Sequence, residues 1–362
     1  LVEAVQVQRA AENEMPMQLL TLPSSKGPSL SKRLMYPLRF EPIYQYRLWG
    51  GRRLAGLMNT SLPAGPIGEA WILSDREEHV SRVANGGLKG QTIRQLLDEY
   101  PEQLMGNLAK HFPRFPLLLK FLDAREMLSV QVHPADSDIQ LLPIGESGKT
   151  EAWVVLQTGK QSRIYAGLKP GTTANDLRMA LTNGTVEEQL RRVNPTAGDA
   201  VFIPAGTVHT LGDVVVFEVQ ENSDVTFRLY DWNRIDTQTG QPRPLQVDKA
   251  LACIDFGDSA AGLVNPVAQT VAHVRREKLF ECEHFRLWRL RGQSPFTVGA
   301  VGEPRVLLCI DGAGQIVHGG VTHSVGKGDV FLLPAELGVA AFQPRGGVTL
   351  LEIAIPDPES GT

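Results

Sequence analysis

The chain has 362 residues, 42% of them hydrophobic, with 36 Lys or Arg against 40 Asp or Glu and a formal net charge of -4. That length buries a sizeable core and more than one domain, while the slightly acidic balance argues against nucleic acid or a membrane surface as the main partner. Three widely spaced cysteines, Cys253, Cys282 and Cys309, follow no metal or redox spacing and predict free, partly buried thiols. Without a bilayer-length apolar run or a secretory pattern, a cytoplasmic protein is expected.

Residues 1–34 show no sustained period, and Pro23-Ser24-Ser25-Lys26-Gly27-Pro28-Ser29 reads as a linker, so a loose extension is expected there. From Met35 onward, short β-type segments bounded by Gly, Pro and Asn predict a sandwich or barrel. Two stretches break that pattern. Ile93, Leu96, Leu97, Tyr100 and Leu104 fall at helical spacing within 91–106, and Leu177, Met179, Ala180, Leu181, Val186 and Leu190 do so within 172–193. Gly198-Asp199-Ala200-Val201-Phe202-Ile203-Pro204-Ala205 is echoed by Gly328-Asp329-Val330-Phe331-Leu332-Leu333-Pro334-Ala335, which predicts two related β-domains. The Gly/Ser/Ala-rich stretch 255–266 places their boundary near residue 258.

Candidate chemistry begins in Leu128-Ser129-Val130-Gln131-Val132-His133-Pro134, where strand alternation sends Ser129, Gln131 and His133 to one face and Val130 and Val132 into packing. Next, Gly148-Lys149-Thr150-Glu151-Ala152-Trp153 holds Glu151 at the edge of an apolar segment, where a metal ion would relieve the cost of a buried carboxylate. In Gly198-x5-Pro204-x-Gly206-x2-His209 a strand runs into a tight turn that aims one imidazole back across the sheet, a spacing that resembles the second metal motif of the cupins. Gln131, His133, Glu151 and His209 form the candidate metal site. Imidazoles plus a carboxylate suit zinc with an open position, and ligand type alone also admits manganese, iron or cobalt. The Gln131 amide is a weak donor to zinc, and the alternative for it is a hydrogen bond behind the ligands. Farther on, Glu218 and Gln220 share a strand face. Arg228 offers a planar fork for phosphate or for developing oxygen charge, unless it is paired with Asp224 or Asp231.

Taken together, these motifs resemble type I phosphomannose isomerase in its shorter bacterial form, from near Met35 through Phe256. The resemblance rests on Leu48-Trp49-Gly50-Gly51, Gly68-Glu69-Ala70-Trp71, Phe115-Pro116-Leu117-Leu118-Leu119-Lys120, the segments around Gln131, Glu151 and His209, and Asn222-Ser223-Asp224. It implies a mainly β cupin (jelly-roll) barrel with helical insertions over 35–257, followed by a degenerate cupin-like β-domain over 258–362. It also implies one zinc ion per chain on Gln131, His133, Glu151 and His209, with Arg228 in a catalytic position and Ser129, Lys120, Lys149 and Glu218 lining a sugar-phosphate pocket.

The implied reaction is aldose–ketose isomerisation of mannose 6-phosphate and fructose 6-phosphate through an enediol. Glu218 is the first candidate for the general base and Lys149 the second, and Ser129, Lys149 and Arg228 are candidates for the phosphate anchor. A cupin acting on another sugar phosphate, an iron oxygenase and a non-catalytic sugar-binding regulator are the competing expectations. The carboxy-terminal echo has Glu336-Leu337 where the first copy has Gly206-Thr207 and no histidine matching His209, so no equivalent metal site is expected there. His318 and His323 are expected to be exposed or locally hydrogen-bonded. His79, His111, His273 and His284 match no motif.

Overall fold

The strand His209–Glu221 is buried along nearly its whole length and lies in the middle of the main sheet, so both of its faces are packed. This strand lies antiparallel between Leu117–Ala124 and Glu151–Leu168, with Phe217 opposite Phe121 and Val154, and Glu218 opposite Lys120 and Trp153. Successive side chains point to opposite faces. Ala152, Val154, Phe121, Phe217 and Val219 therefore enter one apolar core, while Trp153, Val155, Leu122 and Val216 enter another on the side that carries Glu218 and Lys120. Phe121 and Phe217 are fully buried with ring centroids 5.3 Å apart.

The computed structural model describes residues 35–257 and 261–360, so the expected extension over 1–34 and the expected boundary at residue 258 lie outside the described residues. The ten-stranded sheet runs in the order Ile43–Gly51, Ile67–Leu73, Leu117–Ala124, His209–Glu221, Glu151–Leu168, Ala200–Ile203 and Gly262–Leu263, with Val130–Val132, Phe227–Tyr230 and Leu190–Val193 paired off this path. The later part of the chain forms a six-stranded sheet, which includes Arg286–Gly292, Val348–Ala354 and Arg305–Asp311, and a four-stranded sheet, which includes Val339–Pro344 and Ala313–His318. The fold is mainly β, as expected. Gly262–Leu263 pairs with Ala200–Ile203, so strand pairing in the first sheet continues past the expected boundary.

Helices occur in both stretches where the spacing predicts them, although each is shorter than the pattern. The first divides into Ile93–Glu99 and Pro101–Met105. Pro101 supplies no N–H and restricts Tyr100, so it ends one helix and starts the next. Thr92 opens this pair with a reciprocal capping box to Gln95. The second, Ala174–Asn183, starts with a capping box between Thr173 and Asp176 and stops at Gly184, whose φ of 72° is left-handed. Leu190, counted in the helical pattern, instead begins the strand Leu190–Val193, and Met179 faces outward at 53% exposure.

The sequence echo is repeated in backbone geometry. Gly198 and Gly328 have φ of 96° and 86°. Each donates its N–H to the strand alongside, Gly198 to Val155 O and Gly328 to Cys309 O, both at 2.8 Å. Each following aspartate caps its own turn, Asp199 accepting from Thr196 N at 2.7 Å and Asp329 from Gly326 N at 2.8 Å. The copies then diverge. In the second, Ala335–Leu337 forms a short 3-10 turn, and the next strand begins at Val339, the position matching His209. The three cysteines are free; Cys253 and Cys309 are buried and Cys282 is half-buried.

Candidate metal centre

Strand pairing gathers the polar groups. Val130–Val132 is hydrogen-bonded to the start of His209–Glu221 on one side and to Phe227–Tyr230 on the other, so Gln131 lies opposite both His209 and Arg228. Gln220, nearer the other end of the long strand, lies opposite Glu151. Val130 and Val132 point away into a separate apolar cluster with Val208, Phe227 and Leu229, as alternation requires. Gly206 links the pieces: its N–H donates to His133 O at 2.8 Å. Its φ is 81°, and a Cβ there would stand 3.1 Å from Cys253 O. Glycine at 206 thus makes the turn that delivers His209 while holding the backbone of His133.

His133, Glu151 and His209 converge, their ligand atoms lying within 4.8 Å of one another. All three are at most 1% exposed. His133 Nε2 is 3.4 Å from Glu151 Oε2, and His209 Nε2 is 3.3 Å from Glu151 Oε1. On the far side of each ring, Nδ1 donates to a backbone carbonyl at 2.8 Å, from His133 to Val225 O and from His209 to Thr207 O. A carbonyl oxygen only accepts, so Nδ1 carries the proton and both Nε2 lone pairs face the carboxylate. Burial, helped by the Lys149 ammonium, lowers the pKa of His133 to about 3, and burial also lowers that of His209. Both rings are therefore neutral. Burial opposes ionisation of Glu151, but Lys149 leads the groups that outweigh it and hold the carboxyl well below its ordinary range.

Two protein cations or dipoles stand beside these donors. Lys149 Nζ lies 2.9 Å from Glu151 Oε2 and 3.2 Å from His133 Nε2, and the Gln131 side-chain nitrogen lies 3.2 Å from His209 Nε2. Among the described residues, nevertheless, no group gives either Glu151 oxygen a hydrogen bond of acceptable geometry. A buried carboxylate left in that state beside two convergent imidazole lone pairs is the donor set of a divalent metal with an open position. The residues present fit such an ion.

Gln131 and Lys149, which touch the cluster, also line a cavity of about 390 Å³ whose walls include Lys120, Glu218, Trp153 and Arg228. A larger one of about 1010 Å³ adjoins it and shares Arg47 and Asp224. The smaller is the one that Gln131 and Lys149, which touch the His133–Glu151–His209 cluster, line together with Arg228. Lys120 Nζ lies 3.4 Å from Glu218 Oε1 and 4.9 Å from the centre of the Trp71 ring, and Trp153 Nε1 donates to Glu218 Oε2 at 2.9 Å. Burial and the nearby Glu151 charge raise the Glu218 pKa. Burial disfavours the Lys149 ammonium, yet Glu151, Glu218 and Asp224 outweigh it and raise that pKa too.

Arg228 takes neither of the partners that spacing allowed. Asp224 stands 3.6 Å from Lys120, and Asp231 is claimed by Arg234 and Arg243. The Arg228 guanidinium donates to Ser129 Oγ at 3.2 Å and to Pro244 O at 2.9 Å. Its pKa is lowered to about 10 by burial and then by Arg243. Among the described residues no carboxylate forms an ion pair with Arg228, and it faces a cavity. Ser129 is 1% exposed and sits behind this wall, donating to Gln131 Oε1 at 3.1 Å.

Several residues of the wall had no individual signal in sequence. Arg47 and Glu69 form an ion pair at 3.0 Å, and Trp71 Nε1 donates to Glu69 Oε2 at 2.7 Å. Burial would raise the Glu69 pKa, but Arg47 and Lys120 lower it to about 2. Of the remaining histidines, His284 lies 3.5 Å from Glu221, His111 lies 3.3 Å from Asp357, and His323 stacks on Tyr36.

Residues 38–147 match the family model described as phosphomannose isomerase type I, catalytic domain. Mannose-6-phosphate isomerase ManA of Bacillus subtilis is 37% identical over 316 residues, spanning 83% of this chain and 94% of that protein. The mannose-6-phosphate isomerase of Streptococcus mutans is 32% identical over 302 residues, 82% of this chain and 92% of that one. Among solved structures, the mannose 6-phosphate isomerase of B. subtilis superposes with a TM-score of 0.82 at 30% identity, covering 89% of this chain and all (100%) of that one. Phosphomannose isomerase of Salmonella typhimurium shares the fold, with a TM-score of 0.70 at 16% identity. With 37% identity to a relative it covers almost end to end, the chain belongs to the type I phosphomannose isomerase family, whose cupin fold it shares.

Proposed function

We propose that the chain interconverts mannose 6-phosphate and fructose 6-phosphate, using one zinc ion held by Gln131, His133, Glu151 and His209. The observation that carries this is the convergence of two neutral imidazoles and an under-bonded buried carboxylate next to Gln131 and Lys149, which line a cavity that Arg228 also lines. The named activities of the relatives support the same reaction. The ion, when bound, supplies Lewis acidity toward the carbonyl and hydroxyl oxygens at C1 and C2 of the open-chain sugar.

The side chains do the rest. Glu218 faces the cavity with a raised pKa, which suits a group that takes the proton from C2 and returns it to C1 of the enediol. Lys149, held as an ammonium by its carboxylate neighbours, is the poorer base and the better counter-charge. Arg228, with Arg243 beside it in the wall, meets the negative charge of the substrate, and Lys120 holds Glu218 in place. We place the reaction in residues 35–257 and give 258–362 the role of a metal-free cover. A cytoplasmic setting agrees with three free thiols. Purified protein loaded with zinc and given mannose 6-phosphate should form fructose 6-phosphate, followed by a coupled assay. Turnover of a different sugar phosphate with none of mannose 6-phosphate would replace the substrate.

A further inference from the structure

Four hydrogen bonds link the wall of the cavity to the candidate metal ligands, and their donors all point the same way. Arg228 Nε–H donates to Ser129 Oγ at 3.2 Å, and Ser129 O–H donates to Gln131 Oε1 at 3.1 Å. Gln131 Nε2 stands 3.2 Å from His209 Nε2, and His209 Nδ1 donates to Thr207 O at 2.8 Å. Because His209 carries its proton on Nδ1, its Nε2 accepts, and the Gln131 amide must offer N–H to it. The chain is self-consistent only while His209 Nε2 is free to accept.

We propose that Ser129 is a positioning residue that couples the metal centre to anion binding at Arg228, through a reversal of this hydrogen-bond chain. The proposal rests on the metal assignment made above. When the His209 lone pair is taken by a metal ion, Gln131 can no longer donate to it, and an amide N–H2 aimed at a cation is repelled. Gln131 then turns its amide, presenting Oε1 to the ion and Nε2–H to Ser129 Oγ. Ser129 now accepts from both Gln131 and Arg228, which uses both hydroxyl lone pairs, and its own proton needs a new acceptor. An anion oxygen accepting from Arg228 Nη2, beside the Nε–H that Ser129 takes, would meet that proton. Metal therefore prepares a third donor for the anion, and by linkage the anion favours metal. No covalent bond changes; one amide and one hydroxyl rotate.

The test is zinc affinity of the full chain, by competition with a chromogenic chelator near neutral pH, in sulfate and in chloride at matched ionic strength. Sulfate probes a tetrahedral dianion with no sugar hydroxyls attached. Sulfate should tighten zinc binding by about 5-fold to 50-fold. In Ser129→Ala and in Gln131→Glu, with folding checked by circular dichroism, that factor should fall to within about twofold of one, since neither variant can reverse the chain. The glutamate still offers the metal an oxygen but can only accept from Ser129. Persistence of the sulfate effect in Ser129→Ala, or its absence in the wild type, would overturn the coupling while leaving the metal site standing. Folded wild type that takes up no zinc would overturn both.

Discussion

Glu151 is the residue on which the metal assignment turns. It is buried, ionised and without a well-formed hydrogen bond, so Glu151→Gln removes the only anionic donor of the cluster. Losing hydrogen-bond support behind a metal ligand already costs about 10-fold to 100-fold in affinity, and zinc binding by Glu151→Gln, measured by chelator competition, should fall by at least that. Arg228→Ala should behave differently: kcat/KM should fall by about 100-fold to 1000-fold, the scale of removing one donor to developing charge, while zinc content measured without added anion stays near that of the wild type. Zinc lost together with activity in that variant would reassign Arg228 to the metal centre.

What could be read at this scale was what neighbouring residues encode. Alternation alone places Gln131 and His133 on one face and Val130 and Val132 on the other, and it holds in the structure. Lys120 and Glu218 came forward as pocket residues only through the family resemblance, and their contact with Trp71 and Glu69 escaped, because each is an ordinary strand residue until Lys120 is set opposite both Trp71 and Glu218 by register. Arg228 could not be resolved either. Local spacing offered Asp224 and Asp231, and only tertiary structure shows both already engaged, by Lys120 and by Arg234 with Arg243.

At the scale of elements, turns and breakers were legible and exact helix limits were not. Pro101 and Gly184 punctuate helices whose apolar spacing runs on past them, which is why periodicity overran the boundaries. Gly206 shows how much one turn carries. Its left-handed φ and its crowding against Cys253 O make Gly206→Ala strained, with an expected stability loss of more than about 1 kcal/mol and weaker zinc binding, because His209 and the backbone of His133 shift with it. Thermal unfolding and chelator competition on the same sample check both. In the second sheet system the matching segment has Glu336 and no histidine at Val339, which accounts for a repeated backbone without repeated chemistry.

Across the whole molecule, one apolar core ties early and late sequence together. Phe121, Phe217 and Val219 of the ten-stranded sheet share it with Phe280, Leu287, Val306, Leu308, Leu351 and Ile353 from the six-stranded sheet. Leu38 bridges Leu332, and Arg39 pairs with Asp329 at 2.7 Å. A repeat in the sequence suggested two related β-domains, but it could not reveal which residues share a core, since packing across that distance leaves no local period. Unfolding in urea should therefore give coincident transitions by tryptophan fluorescence and circular dichroism. Phe217→Ala, which empties a fully buried position in that core, should lower the unfolding free energy by about 3–5 kcal/mol. Two resolved transitions would mean that the sheets fold independently.

The central claim is that buried His133, Glu151 and His209 hold an ion on which sugar-phosphate isomerisation depends. The direct measurement is conversion of mannose 6-phosphate to fructose 6-phosphate by chelator-stripped protein, repeated after stepwise addition of zinc with the bound metal counted. Activity that is lost on stripping and rises in proportion to zinc up to one ion per chain is the expected result. Full turnover by folded, metal-free protein would contradict it.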